Sequence, residues 1–258
     1  MRYLWSSWDK LKKGLESAKS RIVFLDFDGT LVPIAESPGA VRLSRETEKT
    51  LKTLASDART RLVIVSGRPL KELKRYLKLK NVTFSGNHGL ELEGRGVTLP
   101  PSARRARRLK HLIGLLSSKF KMAFAAYPGI MIEDKCYTLS VHFRKLLKEQ
   151  MPFFQELIRY FKKKYKKYPL YWTNGKRVVE VRPDVYWGKG DTLEYLMKKF
   201  PHAAPIAVGD DSADEEMFRV LKKKKGLTVR VGRSNTSLAD YYLQSPNDVE
   251  VFLERLCH

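Results

Sequence analysis

Cysteine is scarce in this chain: Cys136 and Cys257 are the only two. They permit one bridge, but neither a disulfide framework nor a metal-binding spacing. A reducing compartment, the cytoplasm, is therefore the expected setting. Long hydrophobic runs are missing too. The longest, such as 22–25 and 62–65, are far too short to span a bilayer, so membrane insertion is not expected. The opening ten residues hold no apolar core followed by a small-residue cleavage site, and no signal peptide is expected. Internal repeats and low-complexity linkers do not occur. Acidic residues are few, with 28 Asp and Glu against 50 Lys and Arg, a net charge of +22. The basic residues cluster at 71–80, 104–110, 162–167 and 222–225. Such charge suits either nucleic-acid or membrane-surface affinity, or solvated helix faces on a protein that handles an anionic substrate. Clusters spread over the whole chain favour the second reading. No zinc-finger spacing, RNA-recognition motif or basic zipper accompanies them, so no specific nucleic acid is expected.

What the chain does have is a globular composition, 43% hydrophobic over 258 residues, enough for one large domain or two modest ones. Apolar residues at helical spacing mark 5–18, and an unbroken apolar run marks a buried strand at 21–27. Ser44 is a candidate N-cap for a helix carrying Leu51, Leu54 and Ala55. A strand at 61–65 and a helix opened by Pro69 follow. The alternation resumes with a helix at 192–199, a strand at 205–208, a helix at 214–221 and a strand at 227–231. Strand–helix alternation predicts an α/β fold with a parallel sheet covered on both faces. The middle reads differently. Short strands are predicted at 122–127, 130–135, 137–143, 170–173 and 177–182, with one long helix at 147–166. These imply an α+β module inserted into the α/β domain, giving a core of 1–102 with 184–258 and an insert of 103–183.

Four motifs carry chemistry. Asp26-Phe27-Asp28-Gly29-Thr30 closes the first apolar strand. Ligands of open α/β sheets bind at the carboxyl ends of strands. Two carboxylates there are costly unless a cation neutralises them, and Mg²⁺ suits oxygen ligands and phosphate. Asp26 can then attack phosphorus, while Asp28 donates a proton to the leaving oxygen and later takes one from water. Thr30, and Ser66-Gly67-Arg68 after the next strand, can hold phosphate oxygens. Lys189, flanked by Gly188 and Gly190, can offset the charge of Asp26 and the phosphate. Gly209-Asp210-Asp211-Ser212-Ala213-Asp214 follows a later strand. Asp210 is the expected direct metal ligand, with Asp211 and Asp214 orienting ligands or waters. On the insert, strand parity places Ser140, His142 and, if the strand extends that far, Arg144 on one face, Glu133 with Lys135 on another strand, and Glu180 with Arg182 on a third.

In this order the motifs resemble the haloacid dehalogenase superfamily of phosphatases, whose core is Rossmann-like. That resemblance implies Mg²⁺ held by Asp26, the backbone carbonyl of Asp28, and Asp210. The strings Gly86-Asn87-His88-Gly89-Leu90-Glu91, Glu133-Asp134-Lys135, Ser140-Val141-His142-Phe143-Arg144 and Val179-Glu180-Val181-Arg182-Pro183 look like the trehalose-6-phosphate phosphatase family. In that family the insert is a cap over a disaccharide phosphate. The resemblance implies sugar contacts from Asn87, His88, Glu133, Lys135, His142, Arg144, Glu180 and Arg182, and trehalose 6-phosphate as substrate; separately, a monomer is expected. Two alternatives stay open: a related sugar-phosphate phosphatase or phosphomutase with the same core, and a basic nucleic-acid-binding protein supported by charge alone.

Overall fold

The computed structural model describes residues 1–34, 41–175, 177–185 and 187–257. The chain divides into two compact units, Met1–Pro100 with Trp187–His258, and Pro101–Tyr186. The first is built on one sheet, in the spatial order β1 (Arg2–Tyr3), β12 (Tyr241–Leu243), β11 (Leu227–Val231), β10 (Ala204–Gly209), β2 (Arg21–Leu25), β3 (Thr60–Val65), β4 (Val82–Gly86) and β5 (Glu91–Glu93). All neighbours run parallel except β5, which is antiparallel to β4. The chain moves from β2 outward to β3 and β4, then returns to lay β10, β11 and β12 on the other side of β2. The switch of direction therefore falls between β2 and β10, where open α/β sheets bind ligands.

The apolar run of β2 is explained by burial on both faces. Val23 and Leu25 pack with Leu51 and Leu54 of α2 (Arg45–Ser56) and with Val249, Phe252 and Leu253 of α9 (Pro246–Leu256). Ile22 and Phe24 pack with Leu193 and Leu196 of α7 (Lys189–Lys199) and Met217, Phe218 and Leu221 of α8 (Asp214–Lys224). Burying each such side chain contributes roughly 1.5–3 kcal/mol. Ser44 caps α2 as expected, its hydroxyl accepting from the Thr47 N–H at 2.9 Å. The helix expected at 5–18 breaks into a 3₁₀ turn, Leu4–Ser7, and α1 (Trp8–Ser17).

The second unit has a four-stranded antiparallel sheet, ordered β6 (Met131–Asp134), β7 (Leu139–His142), β9 (Val178–Pro183) and β8 (Leu170–Gly175). One sheet face, with Leu139, Val141, Val179 and Val181, packs on Ile113, Leu116 and Phe120 of α5 (Lys110–Ala123) and Phe154, Ile158 and Phe161 of α6 (Met151–Lys164). The strand expected at 122–127 is not there. α5 runs through Met122, because Ile113, Leu116, Ser117 and Phe120 recur at the helical period and make one buried stripe. A further helix, α4 (Pro101–Arg107), precedes it. The long helix expected at 147–166 begins instead with a 3₁₀ turn and becomes α-helical at Met151, with Pro152 in its first turn. β7 stops at His142, so Arg144 lies in an exposed turn beyond the strand rather than on its polar face.

Candidate active site

Three adjacent strands of the first unit, β10, β2 and β3, end at the same edge and deliver the predicted motifs together. Asp26 follows β2 and is 4% exposed. Its backbone N–H donates to the Val208 carbonyl of β10 at 3.0 Å, which fixes where the carboxylate emerges. Asp210 follows β10. One oxygen each from Asp26, Asp210 and Asp214 lie within 4.8 Å of one another. Burial first, then repulsion from Asp211 and Asp210, pushes the Asp26 carboxyl up to about 7, against the pull of Lys189. Burial, with the charges of Asp211 and Asp214, likewise pushes Asp210 up to about 7. The Asp210 Oδ1 atom is buried and has no hydrogen-bond partner among the described residues. Crowded carboxylates with an orphaned buried oxygen are what a bound cation would relieve. The residues therefore fit a divalent metal with oxygen ligands.

Lys189 opens α7 and is 2% exposed. Its ammonium donates to Asp26 Oδ1 at 2.7 Å and to Asp214 Oδ1 at 2.8 Å, with Asp211 at 3.9 Å. Burial would lower its pKa, but Asp26 and Asp214 hold it well above the usual lysine value. The flanking glycines place it. A Cβ on Gly188 or Gly190 would run into Glu216 of α8, so their absence lets the two helices approach. Asp214 is fully buried, and its second oxygen accepts the N–H groups of Asp210 at 2.9 Å and Asp211 at 3.0 Å. Asp211 in turn accepts from Ala213 and Asp214 N–H groups at 2.8 and 3.0 Å. These two acids shape the loop that carries Asp210.

The remaining predicted groups divide. The Arg68 guanidinium forks onto Asp28, Nε to Oδ2 at 2.6 Å and Nη2 to Oδ1 at 2.7 Å, and also pairs with Glu72. It lies over the rings of Phe27 and Tyr76, at 5.6 and 5.4 Å. Both oxygens of Asp28 are thus engaged by a residue expected to bind phosphate. Ser66 is buried, with its hydroxyl accepting from the Arg68 N–H at 3.1 Å, and Gly67 is where the His88 ring packs, leaving no room for a Cβ. Thr30 is fully buried, and its hydroxyl has no hydrogen-bond partner among the described residues. Asn87, an expected sugar contact, is fully buried, its amide donating to Glu91 at 2.6 Å and its backbone N–H to the Arg68 carbonyl at 2.8 Å. It braces the loop after β4.

In the second unit, Glu133, Ser140, Glu180 and Thr173 stand directly opposite one another across all four strands, and so share one face. His142 Nε2 lies 2.9 Å from Glu133 Oε2, and the Lys135 ammonium lies 3.7 Å from Glu133 and 3.9 Å from Glu180. Burial alone would raise Glu133, but the His142 hydrogen bond and the Lys135 charge bring it below its ordinary value. Arg182 lies over the Tyr171 ring at 5.1 Å. Arg144 stands outside this cluster.

The sequence model of the trehalose-phosphatase family matches residues 24–247. The chain belongs to that family. Trehalose-phosphate phosphatase B of Arabidopsis thaliana is 31% identical over 256 residues, covering 92% of this chain and 66% of the plant protein. The C-terminal domain of C. albicans trehalose-6-phosphate phosphatase matches with a TM-score of 0.77 and 25% identity over 96% of each chain. A phosphatase of the haloalkanoate enzyme superfamily from Bacteroides thetaiotaomicron matches at a TM-score of 0.52 and 16% identity, covering 92% of this chain and 94% of that one, and shows the fold alone. The α/β fold, a parallel sheet with helices on both faces, is thereby shown. Among the described residues, no helix is long and apolar enough to cross a membrane.

Gly29 links this family's first and last motifs. It adopts φ +84°, and a Cβ there would collide with the Asp210 carboxylate. Gly29→Ala should lower kcat/KM about 100-fold by displacing Asp210, as a 1 Å misplacement can. Gly96→Ala is the control: φ is +71°, with nothing within 4 Å of the new Cβ. It should cost about 1–2 kcal/mol of stability and leave turnover intact. Steady-state phosphate release and thermal melts on both variants check this. Equal loss of activity in the two would remove the assigned role of Asp210.

Proposed function

We propose that the protein is a Mg²⁺-dependent phosphatase that hydrolyses trehalose 6-phosphate to trehalose and phosphate through an aspartyl-phosphate on Asp26. The carrying observation is the Asp26 carboxylate, buried at the end of the central strand and clustered with Asp210 and Asp214. Family membership supports the activity, and an all-oxygen donor set favours Mg²⁺ over softer metals. Asp26, Asp210 and the Asp28 carbonyl would hold the ion, which when bound neutralises phosphate charge. Asp26 attacks phosphorus, and the P–O bond to the sugar breaks. Asp28 gives the departing oxygen its proton, then takes one from the water that cleaves the acyl phosphate and regenerates Asp26. Because Arg68 engages both Asp28 oxygens, the acid step requires this fork to open. Lys189 keeps Asp26 oriented and offsets charge developing on the transferring group. Thr30, Ser66 and Gly67 are proposed phosphate contacts.

Glu133, Lys135, His142 and Glu180 are proposed to recognise the sugar, with His88 and Arg182 as further contacts. A site of donors and acceptors rejects substrates that lack the matching hydroxyls, because its own polar groups are left unpaired. Phosphate release from trehalose 6-phosphate, glucose 6-phosphate and other sugar phosphates, with Mg²⁺ and with chelator, tests the proposal. Trehalose 6-phosphate should exceed the others by about 10²-fold or more in kcat/KM, and chelation should abolish turnover. Equal rates across the panel would refute the substrate; full activity in chelator would refute the metal.

A further inference from the structure

The opposite edge of the same sheet, where the strands begin, carries cationic clefts that the phosphatase reading does not use. Arg21 opens β2, Arg59 and Arg61 bracket the first residue of β3, and Lys199 and Arg255 lie at the returning ends of α7 and α9. One cavity of about 240 Å³ is lined by Arg21, Arg59 and Arg255, with Lys12 and its salt-bridge partner Glu16. A second, of about 270 Å³, shares Arg59 with the first and adds Arg61 and Lys199. A third, of about 500 Å³, shares Arg61 and Lys199 with the second and adds Arg95. The three are therefore neighbours in series.

Helix dipoles account for part of this charge, since cations favour helix C-terminal ends. That covers Lys199 and Arg255. It does not cover Arg21, Arg59, Arg61 and Arg95, which lie on strands and loops. Several of the guanidiniums are also held in place. Arg21 donates to Thr60 at 2.7 Å and Asp57 at 3.1 Å, Arg61 lies over Phe200 at 5.1 Å, and Arg255 lies over Trp5 and Trp8 at 4.5 and 5.3 Å. A guanidinium fixed by its ring presents N–H groups that match phosphate oxygens without further ordering. The same stacking bears on the kind of ligand. Single-stranded nucleic acid binds by laying bases on aromatic rings, and here Trp5, Trp8 and Phe200 already carry guanidiniums.

We propose that this series of clefts binds a linear polyphosphate chain, reading consecutive phosphates at a site separate from Asp26. The test measures binding of fluorescently labelled inorganic polyphosphate to the full chain at about 0.15 M ionic strength, with orthophosphate and a single-stranded RNA as competitors. Arg59→Glu/Arg61→Glu should weaken polyphosphate binding about tenfold or more and reduce the salt dependence by about two phosphate contacts. Lys163→Glu/Lys166→Glu, which changes net charge equally at positions that line none of the three clefts, should change it less than about twofold. Phosphate release by Arg59→Glu/Arg61→Glu should match the parent, which also shows that it is folded. Equal weakening by the two pairs would reduce the binding to diffuse charge and overturn the site. RNA competing more strongly than polyphosphate, or orthophosphate competing equally per phosphate, would overturn the assigned ligand.

Discussion

Asp26→Asn should reduce phosphate release from trehalose 6-phosphate by about 10⁴-fold or more while leaving the protein folded. Removing a nucleophile leaves only binding and electrostatic assistance, which supply a small residue of the rate. The amide is close to isosteric with the carboxylate, so packing against the end of β2 is retained. Stability should hold or rise. Burial and the neighbouring Asp210 and Asp211 already disfavour charge at Asp26, and a neutral group relieves that crowding. Lys189 keeps its 2.8 Å contact with Asp214, so no cation is stranded. Phosphate release and urea unfolding on the same sample separate the two effects. Turnover within about tenfold of the parent would show that another group attacks phosphorus, whereas lost activity with lost folding would say nothing of chemistry. A conservative Asp28→Asn variant is the companion: formation of the aspartyl-phosphate should be slow with a sugar leaving group and much less impaired with a nitrophenyl one, which departs without a proton, so nitrophenol should appear as a burst ahead of slow hydrolysis of the intermediate.

The catalytic end of the fold was legible because it is written in local strings. An apolar run followed by Asp26 or Asp210 marks a strand and its carboxyl end at once, and parallel topology then brings these ends together. The polar face of the second unit was legible by parity, since Glu180 alternates with the buried Val179 and Val181, and Ser140 and His142 alternate with the apolar Leu139 and Val141. What was missed depends on partners far apart in sequence. The Arg68 fork joins Asp28 to Glu72 through a contact 40 residues apart, and Ser-Gly-Arg alone carries no sign of it. The aromatic pair Phe27 and Tyr76 beneath Arg68 was equally silent. Asn87 reads as a ready hydrogen-bonding group, but only tertiary packing reveals that its amide donates to Glu91. Helix α5 was lost because Phe124 and Tyr127, in the turns after it, raised the apparent strand content of 122–127. The helical stripe that decides the matter lies upstream, at Ile113 to Phe120.

Lys189→Met should be the most destabilising of the site variants, and in this it should differ from Asp26→Asn. Lysine buried between two carboxylates is tolerated only because each charge compensates the others. Methionine fills similar space without charge, leaving Asp26 and Asp214, 5% and 0% exposed in their side chains, facing each other with no ammonium between them. Breaking a buried pair in this way costs about 3–5 kcal/mol, read as a lowered urea midpoint at unchanged m-value. Turnover should fall as well, by about 10²–10³-fold, as for loss of an oriented charge at a transferring group. A purely structural lysine would predict the first effect without the second once the variant is assayed well below its unfolding midpoint. The double variant Lys189→Met/Asp214→Asn separates the causes. Neutralising Asp214 removes one of the stranded charges, so the pair should be less destabilised than the sum of the single variants, by about 0.5–3 kcal/mol. Strict additivity would mean that the two side chains do not interact, contrary to their 2.8 Å contact. Recovery of stability without recovery of turnover would place Lys189 in the chemistry as well as in the core. Addition of Mg²⁺ should raise the melting temperature of Lys189→Met more than that of the parent, because stabilisation by a ligand grows with the logarithm of its affinity for the folded state. The uncompensated carboxylates are where that extra affinity would arise.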